Sequence, residues 1–171
     1  MDKSLIENWN SVVPSDGIVI HCGDFMLPSH YGTTEYMKYM SKLNGKIYLL
    51  RGNHDRIELT SKPVGYFAKL GDIIQTPKLM SVMDIMEIDV EDNSIMACHY
   101  PMLSYPSNYQ VFGHIHTLSD GLCHGLDCEL NQKIRSTQYD VGVDQNGYKP
   151  ISYRELMNIF SEKQKGDENE R

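Results

Sequence analysis

The chain of 171 residues contains no run of about 18 or more apolar residues, the length a helix needs to cross a bilayer, so no transmembrane helix is expected. Its opening, MDKSLIENWN, lacks the basic stretch followed by an apolar one that marks a secretory signal. A cytoplasmic location is therefore the expectation. Positive charge is also scarce, with 16 Lys and Arg against 23 Asp and Glu and a net charge of −7. Non-specific grip on a nucleic-acid backbone needs Lys and Arg to displace counterions, so strong nucleic-acid binding is not expected. A small phosphoester or nucleotide stays open as a partner, because bound metal cations can reverse the local charge of a pocket. There are four cysteines, expected to be reduced in a cytosolic chain. Cys22 and Cys98 lie in apolar, strand-like stretches and read as core packing. Cys123 and Cys128, with His124 and Asp127 between them, have a C-x4-C spacing without a second pair, and an irregular loop is a better reading than a zinc knuckle.

What is present is an ordinary globular balance, 40% apolar and 23% charged residues, in a length that suits one domain. The domain is expected to cover residues 1–161, and the charged segment 162–171 reads as a frayed tail. Ser4 and Glu7 have capping-box spacing ahead of Trp9, Val12 and Val13, and Pro14 and Gly17 end that helix. Residues 18–21 form a short buried strand. Residues 34–43 read as a helix with Tyr36, Met40 and Leu43 on one face, and 46–50 as a second buried strand. A short helix at 64–70 and a strand at 72–75 follow. Residues 82–90 and 94–98 read as a hairpin around 91–93, 109–112 as another strand, 119–135 as an irregular loop and 138–143 as strand-like. Ser152 and Glu155 form a second capping box that opens a last helix carrying Leu156, Ile159 and Phe160. No internal repeat or linker is visible. The order fits a layered α/β/β/α sandwich, with two facing sheets and helices outside.

The chemistry sits just past each strand. After 18–21 come Gly23 and Asp24. After 46–50 come Arg51, Gly52, Asn53, His54 and Asp55. After 94–98 comes His99, and after 109–112 come Gly113, His114, Ile115 and His116. In open α/β sheets ligands collect at the carboxyl ends of strands, and Asp, Asn and His together suit borderline divalent metals. Each residue alone has a plain structural reading as a turn former or a strand end. Their recurrence at four successive strand ends is what favours a metal site.

These residues resemble successive motifs of the calcineurin-like metallophosphoesterases: GD at Gly23 and Asp24, GNHD at residues 52–55, the lone His99 followed by Tyr100 and Pro101, and GHxH at residues 113–116. The resemblance continues through Val141, Gly142, Val143 and Asp144 to Pro150 and Ile151. It is closest to the small, cap-less bacterial and phage phosphoesterases. It implies that Asp24 bridges two divalent ions (Mn, Fe, Zn or Ni), that Asn53, His99 and His114 complete one site, and that His116 serves the other. It implies hydrolysis of phosphomonoesters or phosphodiesters by a hydroxide bridging the two metals, with Asn53 also at the substrate. His54 is the candidate general acid. Asp55 either orients His54 or caps the turn, and Arg51 either binds substrate phosphate or is a solvated arginine.

The chain departs from the family pattern in one respect. The family starts with a strand and D-x-H, which supplies an Asp and a His to the second metal, and no Asp-x-His precedes Asp24 here. Two ions are the expectation, with one as the alternative for a chain that lacks this motif. A misplaced start, a fragment or a genuinely shortened one-metal form would each explain this, and the first two are preferred, because loss of a central strand exposes unpaired backbone groups. The alternative to an enzyme is a catalytically impaired member of the family that serves as a binding scaffold. Substrate identity and oligomeric state are not readable from these residues.

Overall fold

The computed structural model describes residues 2–26, 33–55, 78–116 and 133–169, in two compact units, 1–85 and 86–171. In the first unit, α1 (Asp2–Val12) turns the buried Trp9 and the following Val13 inward, where Leu43, Ile47 and Leu49 complete the cluster. Pro14 cannot continue the helix, and Gly17 N–H donates to Pro14 O at 3.0 Å to close the turn into β1 (Ile18–His21). Trp9 Nε1 donates to Asn44 O at 2.9 Å, and Asn44 Nδ2 donates to Val13 O at 3.0 Å. These bonds fasten the end of α1 to the turn that follows α2 (Thr33–Met40).

Strand β2 (Lys46–Leu50) lies between β1 and β3 (Leu79–Met83), and both pairings are parallel. Parallel neighbours need a crossover, which α2 provides between β1 and β2. Ile47, Leu49 and Leu50 are fully buried, as expected of a parallel strand covered on both faces. Among the described residues β1 is an edge of this sheet, and its first residue, Ile18, is 68% exposed.

The second unit is a four-stranded sheet in the order β4-β5-β6-β7, with β4 Ile85–Val90, β5 Asn93–Cys98, β6 Tyr109–Phe112 and β7 Gln138–Asp140. β5 and β7 flank β6 in parallel. The last helix, α3 (Tyr153–Asn169), sets Phe160 face to face with Tyr109, ring centroids 4.3 Å apart, and buries Phe160 completely.

The mixed α/β class with two sheets is as expected, and several local readings change. The single strand expected at 82–90 is two strands broken at Asp84, because β3 completes the first sheet and β4 begins the second. β7 ends at Asp140, where the chain enters a turn, instead of running to 143. Ser4 lies inside α1, which starts at or before Asp2, so it is no cap. Segment 162–169 lies within the last helix. Lys163 ties it down, donating from Nζ to Gln138 O at 2.7 Å and to Arg135 O at 3.3 Å, while burial pulls the ammonium below its usual range. The helix expected at 64–70, the strand at 72–75 and most of the loop at 119–135 lie outside the described residues, as do His30, Cys123, His124 and Cys128. Among the described residues no helix is long and apolar enough to cross a membrane.

The second capping box is present. Ser152 donates to Glu155 Oε2 from its hydroxyl (2.6 Å) and its backbone N–H (2.9 Å), and Glu155 N–H donates back to Ser152 Oγ at 3.3 Å. The hydroxyl first, then the N–H, hold the Glu155 carboxyl below its ordinary range. A carboxyl lowered by folding stabilises the fold above its unfolded pKa, and that contribution is lost as pH falls through the folded value. Glu155→Gln is therefore expected to lower the melting temperature at neutral pH and to leave it unchanged below the folded pKa. Thermal melts at successively lower pH from pH 7 check this, and a loss that does not shrink as the pH falls would refute the charged cap.

Candidate metal and phosphoester site

In the first unit the end of β1 and the end of β2 are locked to each other through one carboxylate. Asp55 is buried, and its Oδ2 accepts from Asp24 N–H and from Gly52 N–H, each at 2.9 Å. Its Oδ1 accepts from Phe25 N–H at 3.1 Å and from the Tyr36 hydroxyl at 2.8 Å. A buried carboxylate without a cation is costly unless hydrogen bonds satisfy it, and four donors do so here. Of the two readings of Asp55, these bonds favour the capping one. Its oxygens are committed to the turns and to α2.

Asp24 has a left-handed backbone (φ 53), and its Oδ1 accepts from His54 N–H at 2.7 Å. Gly52 makes this approach possible. A Cβ there would lie 2.2 Å from Asp24 Oδ1 and 2.4 Å from Asp24 N. Asn53 is exposed at the tip of the turn and His54 is half-buried beside it. Next to this turn, the His21 ring lies between those of Trp9 (centroids 6.3 Å) and Phe25 (5.3 Å). Arg51 Nε lies 2.8 Å from Asp84 Oδ1, a charge contact and not an aligned hydrogen bond.

In the second unit the ends of β5 and β6 carry three imidazoles. His99 is buried, and its Nε2 lies 3.1 Å from His114 Nδ1. The Tyr100 ring packs edge-on against both, with centroids 4.8 Å from His99 and 4.6 Å from His114. Gly113 N–H donates to His99 O at 3.1 Å, which joins the two strand ends. His114 (φ 74) and His116 (φ 45) both have left-handed backbones. Such conformations cost about 1–3 kcal/mol each and persist where the surroundings enforce them, typically at functional sites. The third imidazole, His116, pairs with Asp144, Nδ1 to Oδ2 at 2.6 Å.

The turn after β5 rests on groups that the sequence alone does not single out. Gln110 and Gln138 are buried, and Gln138 Nε2 donates to Gln110 Oε1 at 2.5 Å. Gln110 Nε2 donates to Tyr100 O at 3.0 Å, and its Oε1 accepts from Met102 N–H at 3.0 Å. The Cys98 thiol donates to Tyr100 O at 2.9 Å, and burial pushes its pKa up, which keeps it protonated as that bond requires. The available signal is a glutamine at an inward position of each of two apolar strands. Tyr36 reads as core from its spacing, and nothing in the sequence signals the role of its hydroxyl.

The model of the calcineurin-like phosphoesterase family matches residues 4–133. The chain belongs to the calcineurin-like phosphoesterase family. It is 30% identical over 165 residues to an uncharacterized protein of Methanocaldococcus jannaschii, covering 94% of this chain and 75% of that one. A protein of unknown function from Aquifex aeolicus has a similar fold, with a TM-score of 0.62 at 21% identity over 92% of this chain and 84% of that one. An archaeal phosphodiesterase overlaps 66% of this chain and 63% of its own at 22% identity, with a TM-score of 0.43, a likeness too distant to bear on fold or activity. Family membership implies divalent metal ions and, in general, phosphoester hydrolysis.

Two substitutions test the lock between the strand ends. Asp55→Ala strands several buried donors and is expected to cost about 3 kcal/mol or more, at about 1–3 kcal/mol for each group left unsatisfied. Gly52→Ala is expected to destabilise comparably by forcing Asp24 away. Urea denaturation measures both, and a loss under about 1 kcal/mol in either variant, the low end for a single unsatisfied group, would show that the turns are not coupled in this way.

Proposed function

We propose that the protein is a metal-dependent hydrolase of phosphomonoesters or phosphodiesters, and that Asp24, Asn53, His99 and His114 hold one divalent ion while Asp24 and His116 serve a second. The observation that carries this reading is the approach of His99 Nε2 to His114 Nδ1, 3.1 Å. Two ring nitrogens at that separation need a proton or a cation between them. Two nitrogens on one metal at about 2.0–2.1 Å each stand about 2.9–3.4 Å apart, so the pair fits adjacent corners of one coordination sphere. The mixed oxygen and nitrogen donors suit Mn, Fe, Zn or Ni.

When bound, the metals would supply Lewis-acid polarisation of the phosphoryl group and an activated water. The remaining work falls to the chain's own residues. His54 holds a proton for the leaving oxygen, and its backbone N–H already steadies Asp24. Asn53, exposed at the tip of its turn, is set to meet substrate as well as metal. Arg51 offers a guanidinium to substrate phosphate in exchange for its contact with Asp84, which is 70% exposed and so a weak competitor. A small phosphoester or nucleotide is the substrate class, and a cytoplasmic location suits it.

The test is hydrolysis of a chromogenic phosphomonoester and a phosphodiester with added Mn²⁺, together with metal analysis. Asn53→Ala and His114→Ala are expected to lose both metal and rate. His54→Ala is expected to keep its metal and lose about 10²–10⁴-fold in rate, the usual worth of a general acid. Normal metal content and rate in both Asn53→Ala and His114→Ala would sink the site. Tight metal binding with no hydrolysis of either substrate would leave a binding scaffold in place of an enzyme.

A further inference from the structure

Building on that reading of the site, we infer that Asp144 is a positioning residue for His116: its carboxylate takes the Nδ1 side of the imidazole, fixes the ring and assigns metal ligation to Nε2. The contact is short, 2.6 Å from Nδ1 to Oδ2. A carboxylate on one ring nitrogen is a common way to set the tautomer of a metal-binding histidine and to raise its basicity. The His116 side chain is 65% exposed and its backbone is left-handed, so packing does little to hold the ring.

The anchoring of Asp144 argues against an incidental surface pair. β7 ends at the buried Asp140, whose Oδ1 accepts from Gly142 N–H at 2.9 Å. A Cβ on Gly142 would lie 2.7 Å from Asp144 Oδ1 and 3.0 Å from Asp140 Oδ1, so the turn brings both carboxylates against one bare backbone position. Asn146 Nδ2 donates to Gly142 O at 2.8 Å, and Tyr148 N–H donates to Val143 O at 2.6 Å, closing the turn around Asp144. Gln145 Nε2 adds a bond of 3.3 Å to Asp144 Oδ2. A solvent-exposed ion pair contributes little to stability. This many constraints on one carboxylate therefore point to the ring it aims.

Calorimetric titration of the full chain with Mn²⁺ tests this, with thermal denaturation run alongside. Asp144→Ala is expected to weaken by about 10–100-fold the Mn²⁺ binding that His116→Ala removes, with a melting temperature close to that of the unaltered protein. Asp144→Asn, which keeps an acceptor oxygen, is expected to recover part of the loss, and it carries the test should the alanine variant fold poorly. In a His116→Ala background, Asp144→Ala is expected to add nothing. Mn²⁺ binding by Asp144→Ala equal to that of the unaltered protein would overturn the inference alone, as would an added loss in the His116→Ala background. Failure of the unaltered protein to bind Mn²⁺ at all would overturn the hydrolase reading together with it.

Discussion

The buried carboxylate of Asp55 gathers donors from the turn after β1, the turn after β2 and helix α2. Three separate pieces of chain thus converge on two oxygen atoms. The backbone N–H groups at the ends of parallel strands have no ladder partner, and a single acceptor with about four lone-pair sites can satisfy several of them together. Asp24 and Asn53 flank this node in the chain. They can be held still only if the node is, and the absence of a side chain at Gly52 lets the two turns close over each other.

The second unit meets the same need with different chemistry. Its strand-end turns present carbonyl oxygens, those of Tyr100 and Met102, as well as an N–H. A carboxylate could answer only the N–H. An amide side chain carries donor and acceptor together, and the pair Gln110 and Gln138 bridges both kinds of group while bonding to each other. The result is a buried neutral network beside the turn that follows His99. Low dielectric strengthens such a network when it is complete and makes it costly when it is broken, so these glutamines are as structural as the apolar residues around them.

Much of this is legible in the sequence, and the limits are physical. The strand-end polar residues and the elements around them can be read because a short apolar run followed by Gly and then Asp, Asn or His marks a buried strand emptying into a tight polar turn. The last helix is readable from Ser152 and Glu155, since a capping box is a local interaction. Ser4 and Glu7 have the same spacing, yet the helix begins ahead of them, because spacing alone does not say where helical backbone starts. The break at Asp84 is hidden because the apolar pattern is continuous across it, and only pairing in two different sheets divides it. The half-buried Lys163 is hidden for a related reason: a lysine in a charged stretch reads as solvent-facing until the carbonyls it reaches are known.

The three aspartates show how context divides one residue type among different tasks. Asp55 is buried among donors, and both its oxygens are taken by them. Asp24 sits one step further out and receives the backbone N–H of His54 on Oδ1, which orients the carboxylate. Asp144 lies on a turn, where its short bond is to an imidazole. Sequence alone ranks these residues by neighbouring glycines and by motif, which places Asp24 and Asp55 together and sets Asp144 apart. Hydrogen bonding ranks them by where their acceptor capacity goes. By that measure Asp55 belongs with Gln110 and Gln138, its oxygens spent on neighbouring turns, whereas Asp24 and Asp144 each turn an oxygen to a histidine of the proposed site, to the His54 backbone and to the His116 ring. A loss of metal on substituting Asp55 would therefore report a collapsed turn and not a missing ligand, and only a measurement of stability made beside the metal analysis separates the two.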